Sequence, residues 1–218
     1  MHHDIHFKQL IRPNFEAVLT LFFPAFAAQV NWTKGIEFLE REHSTDLPGN
    51  AWCFIGLGAK VTLCNGRSVV VHLMFRSGED DVSHGEKVPD QVKICHDLLV
   101  LRHELSVVTI VMYLFRATKG LGWGQHRIHV RGMSEELTRY RVVGLPRLPA
   151  RKGLRSGRSV GAALAALMDP GDWSRAHLKA ECLRAVARTP DDAALKQLAT
   201  KTIETYLPLE AVEEAEAW

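Results

Sequence analysis

The central segment of the chain reads CFIGLGAKVTL (residues 53–63), CNGR (64–67) and SVVVHLMFR (68–76). The first and third stretches are apolar and rich in β-branched residues, and an Asn-Gly pair lies between them. Two such runs joined across Asn-Gly are the strongest short-range signal for a β-hairpin. The sequence therefore predicts a hairpin at the centre of the fold.

Helical and strand-like patterns flank this hairpin on both sides. Residues 13–23 begin with proline and place apolar side chains at helical spacing, as do residues 89–104. Residues 106–115, SVVTIVMYLF, form a continuous apolar run, which is typical of a central strand buried on both faces. Beyond it we predict a glycine-rich turn at 119–124 and edge strands at 127–131 and 139–144. A hairpin, a helix and then a buried strand indicate a mixed α/β sheet with a crossover.

The last third of the chain has a different composition. Residues 140–159 carry six basic and no acidic side chains, and we interpret 146–159 as a linker. Three helical segments follow at 160–168, 174–188 and 191–207, separated by Pro- and Gly-containing breaks. The sequence thus predicts an α/β domain over residues 1–150 and a helical C-terminal subdomain over 151–218.

Composition sets broad limits on function. The 218-residue chain has a net charge of +2 and 46% hydrophobic residues, as in an ordinary soluble globular protein. Its four cysteines are scattered without a C-x-x-C pair, which predicts reduced thiols inside the cell. No secretory signal pattern opens the chain, and Glu16 and Pro24 interrupt the apolar run at 15–30. We expect a cytoplasmic protein without a membrane partner.

Isolated candidate sites in the sequence are weak. The string Gly120-Leu-Gly-Trp-Gly124 lacks the spacing of a nucleotide-binding fingerprint. The cluster His2, His3, Asp4 and His6 is interpreted as a frayed end with incidental metal affinity. His72, inside an apolar strand, is predicted to be a hydrogen-bonded core histidine.

Five stretches together resemble one nuclease family. They are HDIHFK (3–8), LTLFFPAFAAQVNWTKGIEFLERE (19–42), AKV (59–61), VHL (71–73) and ETYLPL (204–209) followed by Glu213-Glu214. The chain is similar through them to the recombination-promoting nuclease (Rpn) and YhgA-like transposase family of the PD-(D/E)XK superfamily. The resemblance implies a restriction-endonuclease-like mixed sheet flanked by helices, metal-dependent DNA cleavage, and a mobile-element or defence setting.

The chain departs from the family pattern at the residues that carry the chemistry. The family places an Asp on the first hairpin strand and Glu-x-Gln or Glu-x-Lys on the second, and these carboxylates hold Mg²⁺. The aligned positions here are Gly56, Met74 and Arg76, and Glu16 matches an accessory acid. The side chains of glycine and methionine offer no oxygen ligand, so no metal cofactor is expected. If any cleavage activity survives, we expect it to use Mg²⁺ or Mn²⁺.

Three hypotheses remain open. In the first, cleavage is lost and a nucleic-acid-binding or regulatory module is left. In the second, the chain is still a metal-dependent endonuclease whose acids have migrated, to Asp46, Glu79 or Asp81. In the third, the protein binds no DNA and is an interaction partner, of an active paralogue or of a second copy of itself. The residues predicted to contact nucleic acid under the first are Lys60, Arg67, Arg76, Arg151, Lys152, Arg155 and Arg158.

Overall fold

The computed structural model describes residues 3–39, 43–44, 53–54, 56–78, 87–130 and 134–209. Its helices are α1 (His3–Ile11), α2 (Phe15–Phe22), α3 (Pro24–Ala27), α4 (Val88–His103), α5 (Ala150–Leu154), α6 (Ser159–Ala165), α7 (Arg175–Arg188) and α8 (Ala193–Tyr206). Its strands are β1 (Ile36–Phe38), β2 (His43–Ser44), β3 (Cys53–Phe54), β4 (Leu57–Thr62), β5 (Ser68–Arg76), β6 (Ser106–Tyr113), β7 (Leu121–Val130) and β8 (Ser134–Gly144).

A six-stranded mixed sheet organises the molecule, in the order β1-β4-β5-β6-β8-β7. The predicted hairpin is present as antiparallel β4 and β5, and Gly66 supplies the positive φ of 85° that its turn requires. Helix α4 carries the chain over to β6, which lies parallel to β5. The mixed α/β class is therefore confirmed. The hairpin is shorter than predicted at its start, because β3 pairs with β2 in a separate two-stranded sheet.

The two faces of the sheet pack against different helices. Alternate side chains of β5 point to opposite faces. Val71 and Leu73 belong to the main hydrophobic core, which they share with α1, α2 and the C-terminal helices. Met74 belongs to a smaller cluster that includes Val88 and Val92 of α4. We call these the α2 side and the α4 side of the sheet.

The predicted linker at 146–159 is instead a folded part of the core. Residues 145–147 form a 3-10 turn and α5 follows, with Ala150 and Gly153 buried. A Cβ on Gly153 would lie 2.4 Å from the carbonyl oxygen of Gly161. Helices α5 and α6 therefore approach closely at these two glycines. The hydrophobic core is continuous across residue 150, since Ile203 lies in the same cluster as Leu73.

Strands β7 and β8 also differ from their prediction. The glycine-rich string lies largely in β7 rather than in a turn, and β8 is an interior strand between β6 and β7. Gly124 faces Tyr140 across this pair, and a Cβ there would lie 2.2 Å from the Tyr140 ring. The glycine therefore makes room for a cross-strand aromatic side chain. Together β7 and β8 form a long two-stranded ribbon at the edge of the sheet, which we call the ribbon.

The cysteines follow the prediction only in part. Cys64 is exposed and Cys182 buried, and both are free thiols. Burial, with a smaller contribution from the charge of Glu181, raises the pKa of the Cys182 thiol to about 12, so this group is inert. Cys95 is disulfide-bonded, and the prediction of reduced thiols is wrong for this residue. Among the described residues, no helix has the length and apolarity needed to cross a membrane.

Candidate functional site

The structure brings the hairpin motif positions together. Leu57 pairs with Leu73 across β4 and β5, which sets Gly56 beside Met74. A Cβ built on Gly56 would lie 3.2 Å from the Met74 Cα. Met74 and Arg76 are two residues apart on β5 and so share the α4 side. The positions aligned with the family motif therefore share one corner of the sheet, next to the N-terminal half of α4.

This corner is packed as hydrophobic core. Met74 is 2% exposed and lies in an apolar cluster with Val88 and Val111. A Cβ on Gly56 would also lie 2.1 Å from the carbonyl oxygen of Leu73, so the backbone leaves no space for a side chain there. Arg76 is 8% exposed and donates a hydrogen bond from its guanidinium to Oε1 of Gln91. These residues do not fit a divalent metal ion, and the described part of the chain places no oxygen-lined cradle between them.

His72 lies on the same side of β5, opposite Thr109 of β6. It is fully buried, as predicted, but among the described residues neither of its ring nitrogens has the predicted hydrogen-bond partner. Burial, followed by the nearby charges of His96, Arg76 and Lys8, lowers the pKa of His72 from 6.5 to about 3. Burial also lowers the pKa of His96, whose Nδ1 lies 3.4 Å from the Thr109 hydroxyl. His72 is therefore a neutral core residue over the physiological pH range.

Glu16, the predicted accessory acid, lies on the other side of the sheet. Its neighbours on α2, Val18 and Leu19, pack in the main core, whereas Met74 packs against α4. The sheet thus separates Glu16 from Gly56 and Met74. The structure does not bring the predicted acid and the hairpin positions into one site.

Glu16 instead lines a cavity of about 510 Å³ between α2 and the segment that follows α5. Three predicted basic residues, Lys152, Arg155 and Arg158, line the same cavity, which we call the basic groove. Arg158 is fixed by an ion pair of 2.9 Å with Asp191, whose side chain is 1% exposed. Among the described residues, Lys152 and Arg155 have no ion-pair partner. The groove therefore carries an excess of positive charge.

Asp191 holds the wall of the basic groove in place. Its Oδ2 accepts hydrogen bonds from the backbone N–H of Ser159 at 2.7 Å and from the Ser159 hydroxyl at 2.6 Å. Its Oδ1 pairs with Arg158. One buried carboxylate therefore caps the start of α6 and positions a groove arginine.

The remaining predicted contacts are dispersed. Lys60 lies on the α4 side and pairs with Glu37 at 3.3 Å, while Arg67 is exposed in the hairpin turn. The guanidinium of Arg151 lies 4.9 Å from the ring centroid of Trp173, outside the groove lining. The proposed migrated acids Asp46, Glu79 and Asp81 lie outside the described residues.

The N-terminal histidine cluster is the other group of potential metal ligands in the sequence. His6 is not frayed, because its Nε2 lies 2.9 Å from the Thr202 hydroxyl and its ring packs on Tyr206. In the part of the chain that the structure describes, no three His, Cys, Asp or Glu side chains lie together as potential metal ligands.

Sequence reasoning missed a second cavity, of about 500 Å³, between β6 and the ribbon. Phe23, Phe26 and Trp123 line it, together with Arg139 and Arg141. We call it the ribbon cleft. A sequence signal existed, since Leu121, Trp123 and Gln125 alternate with glycines at strand period, with the large side chains on one face. The glycine content of this string favours a turn, and the sequence therefore did not predict the cleft.

With this geometry established, comparison with known proteins adds no assignment. No protein-family model, curated protein or solved structure matches the chain. The class that fold and site define is an α/β protein with a six-stranded mixed sheet, a closed hairpin corner and an open basic groove.

Proposed function

We propose that this protein is a nuclease-like module that binds nucleic acid through the basic groove and has no metal-dependent cleavage at its hairpin. The observation that carries the proposal is the packing at Gly56 and Met74. Where the family that the sequence resembles holds a metal ion, this chain has a buried methionine and a backbone carbonyl. We also propose the finer fold, PD-(D/E)XK. This proposal rests on the sequence resemblance together with the mixed sheet and its central hairpin.

The groove supplies the charge that a phosphate backbone needs. Lys152 and Arg155 are at least partly exposed, and Arg158 adds a third positive charge that Asp191 partly offsets. Thr20 also lines the groove, and its hydroxyl can donate to a phosphate oxygen. Basic side chains that neutralise phosphates release counterions, so binding of this kind weakens steeply with salt.

The proposal is tested by titrating a fluorescent twelve-nucleotide single strand, and a duplex of equal length, in EDTA, Mg²⁺ and Mn²⁺. The double variant Lys152→Ala, Arg155→Ala is compared with Lys34→Ala, Arg188→Ala. The control removes the same charge from exposed residues that line neither cavity. We expect binding without cleavage, and a salt slope flatter by about 1.4 for the groove variant on the single strand, about 0.7 per lost phosphate contact.

Two results would contradict the proposal. Equal salt slopes for the two double variants would remove the basic groove as the contact surface. Metal-dependent cleavage would show that an active site exists elsewhere. In that case Asp46→Asn, Glu79→Gln and Asp81→Asn become the variants that locate it.

A further inference from the structure

Strands β6 and β8 are paired along only part of their length. The parallel pairing runs from Ile110 with Arg141 to Tyr113 with Gly144. In the described chain, residues 106–109 of β6 pair only with β5, and residues 134–140 of β8 pair only with β7. The ribbon therefore diverges from the sheet, and the ribbon cleft fills the wedge between the two strands.

Aromatic rings and arginines face one another in this cleft. Trp123 is 57% exposed, an unusual position for so large an apolar side chain. The Arg141 guanidinium lies 4.2 Å from the Trp123 ring centroid and 5.1 Å from that of Phe23. Arg139 is exposed on the same strand face as Arg141. Among the described residues that line the cleft, none carries a carboxylate.

The opposite face of the ribbon is fixed to α4. Asp90 lies 3.2 Å from His126 of β7, and Lys93 pairs with Glu136 of β8 at 2.5 Å. Tyr140 and Val142 of β8 pack into the apolar cluster with α4. The face with Trp123 and Arg139 is therefore held in place without a ligand, which lowers the cost of ordering it on binding.

We infer that the ribbon cleft binds unpaired bases of a single-stranded nucleic acid, with a base stacked on the face of Trp123 that Arg141 does not cover and phosphates on Arg139 and Arg141. Aromatic platforms beside basic side chains are the recurring means of holding single strands. The volume lies in the range of small-ligand sites, which suits one or two bases. Bases inside a duplex are stacked on each other and cannot reach the ring.

The inference rests on the proposed function and deepens it, because the same strand would run from cleft to groove. Helix α2 borders both cavities, with Leu21 lining the basic groove and Phe22 the ribbon cleft. A peptide strand could instead pair with the open edge of β6 or β8. The two cationic side chains and the absence of a lining carboxylate favour an anionic ligand with rings over a peptide.

The first test measures the affinity of Trp123 variants for three labelled probes of equal length. These are oligothymidylate, its abasic analogue and a duplex. We expect Trp123→Ala to weaken oligothymidylate binding by about 5- to 150-fold, as the loss of one stacked base does. Binding of the abasic strand and the duplex should change by less than about twofold, because these probes offer no unpaired base to stack. Trp123→Phe should recover most of the affinity, since a ring is retained.

The controls separate loss of binding from loss of fold. Leu101→Ala removes an apolar side chain that is 77% exposed on α4 and should leave all three probes unaffected. Arg139→Glu reverses an exposed charge in the cleft, and Arg188→Glu reverses one outside it. We expect only the former to weaken oligothymidylate binding, by about tenfold or more, while thermal unfolding stays unchanged for both.

The outcomes distinguish this inference from the proposed function. One outcome is that the double variant Lys152→Ala, Arg155→Ala weakens binding but Trp123→Ala and Arg139→Glu do not. The inference about the cleft is then overturned, while the proposed function stands. A peptide becomes the better candidate for the cleft. Equal weakening of all three probes by Trp123→Ala would also overturn stacking. If the wild-type protein binds no probe at low salt, both proposals fail.

Discussion

The two sides of the sheet have opposite characters. On the α4 side, the corner that should carry metal ligands is closed by Met74 and by the backbone around Gly56. On the α2 side, charged and aromatic side chains remain exposed around two cavities. Resemblance to a nuclease directs attention to the first side. The contrast shows that positions singled out by a sequence resemblance can be filled by core packing, while the exposed charged and aromatic side chains lie on the other side of the sheet.

Met74→Glu tests the closed side most strongly. An unpaired carboxylate in this apolar cluster should lower the free energy of unfolding by about 3–5 kcal/mol at pH 7. Urea denaturation measures this loss of stability. The control is Leu101→Glu on the exposed face of α4, which should lower the free energy of unfolding by less than about 1 kcal/mol. A Met74→Glu protein of unchanged stability that binds Mn²⁺ would reopen the hairpin as a metal site.

Gly124→Ala tests the packing that joins the ribbon to the α4 side. The new methyl group would overlap the buried ring of Tyr140, and we expect a loss of about 1–3 kcal/mol in the free energy of unfolding. Gly122 is the matched control, two residues earlier on the same face of β7. A Cβ there lies 3.2 Å from the flexible Cδ of Lys119, so Gly122→Ala should be nearly neutral. Equal effects on thermal unfolding would contradict this account of the ribbon.

The secondary-structure features that depend on a few neighbouring residues could be predicted from the sequence. The Asn-Gly turn, the apolar run of β6 and the helical segment at 174–188 depend on a few neighbouring residues, and all three are present. The separation of Glu16 from Met74 was not predictable, since no periodicity tells which side of a sheet a helix covers. The ribbon cleft was missed because the glycine-rich string in β7 indicated a turn. It depends on where β8 leaves β6, which is set by α4 contacts such as Lys93 with Glu136.

His72 makes the closed side sensitive to acid. Its pKa is about 3 in the folded protein and near 6.5 in the unfolded chain, so between these values only the unfolded chain binds the proton. Stability must therefore fall as pH drops below about 6.5, by about 2 kcal/mol at pH 5 from this residue alone. Urea denaturation at pH 7 and pH 5 should show a smaller drop for His72→Gln than for the wild type. Leu101→Ala, which removes an exposed side chain that carries no ionisable group, should leave the drop unchanged.

Glu16→Gln has the smallest expected effect on nucleic-acid affinity. The sign of that effect distinguishes two roles for Glu16, a repulsive charge in the basic groove and an accessory acid of a nuclease site. If the groove binds a phosphate backbone, removing its carboxylate should strengthen single-strand binding about twofold at moderate salt, as loss of one exposed repulsive charge does. If Glu16 were instead an accessory acid of a nuclease site, the same change would abolish cleavage and weaken metal binding. Affinity measured in EDTA and in Mn²⁺ separates these cases, because only a metal ligand can make the effect of Glu16→Gln depend on the ion. A weaker affinity in EDTA would exclude phosphate as the occupant of the groove.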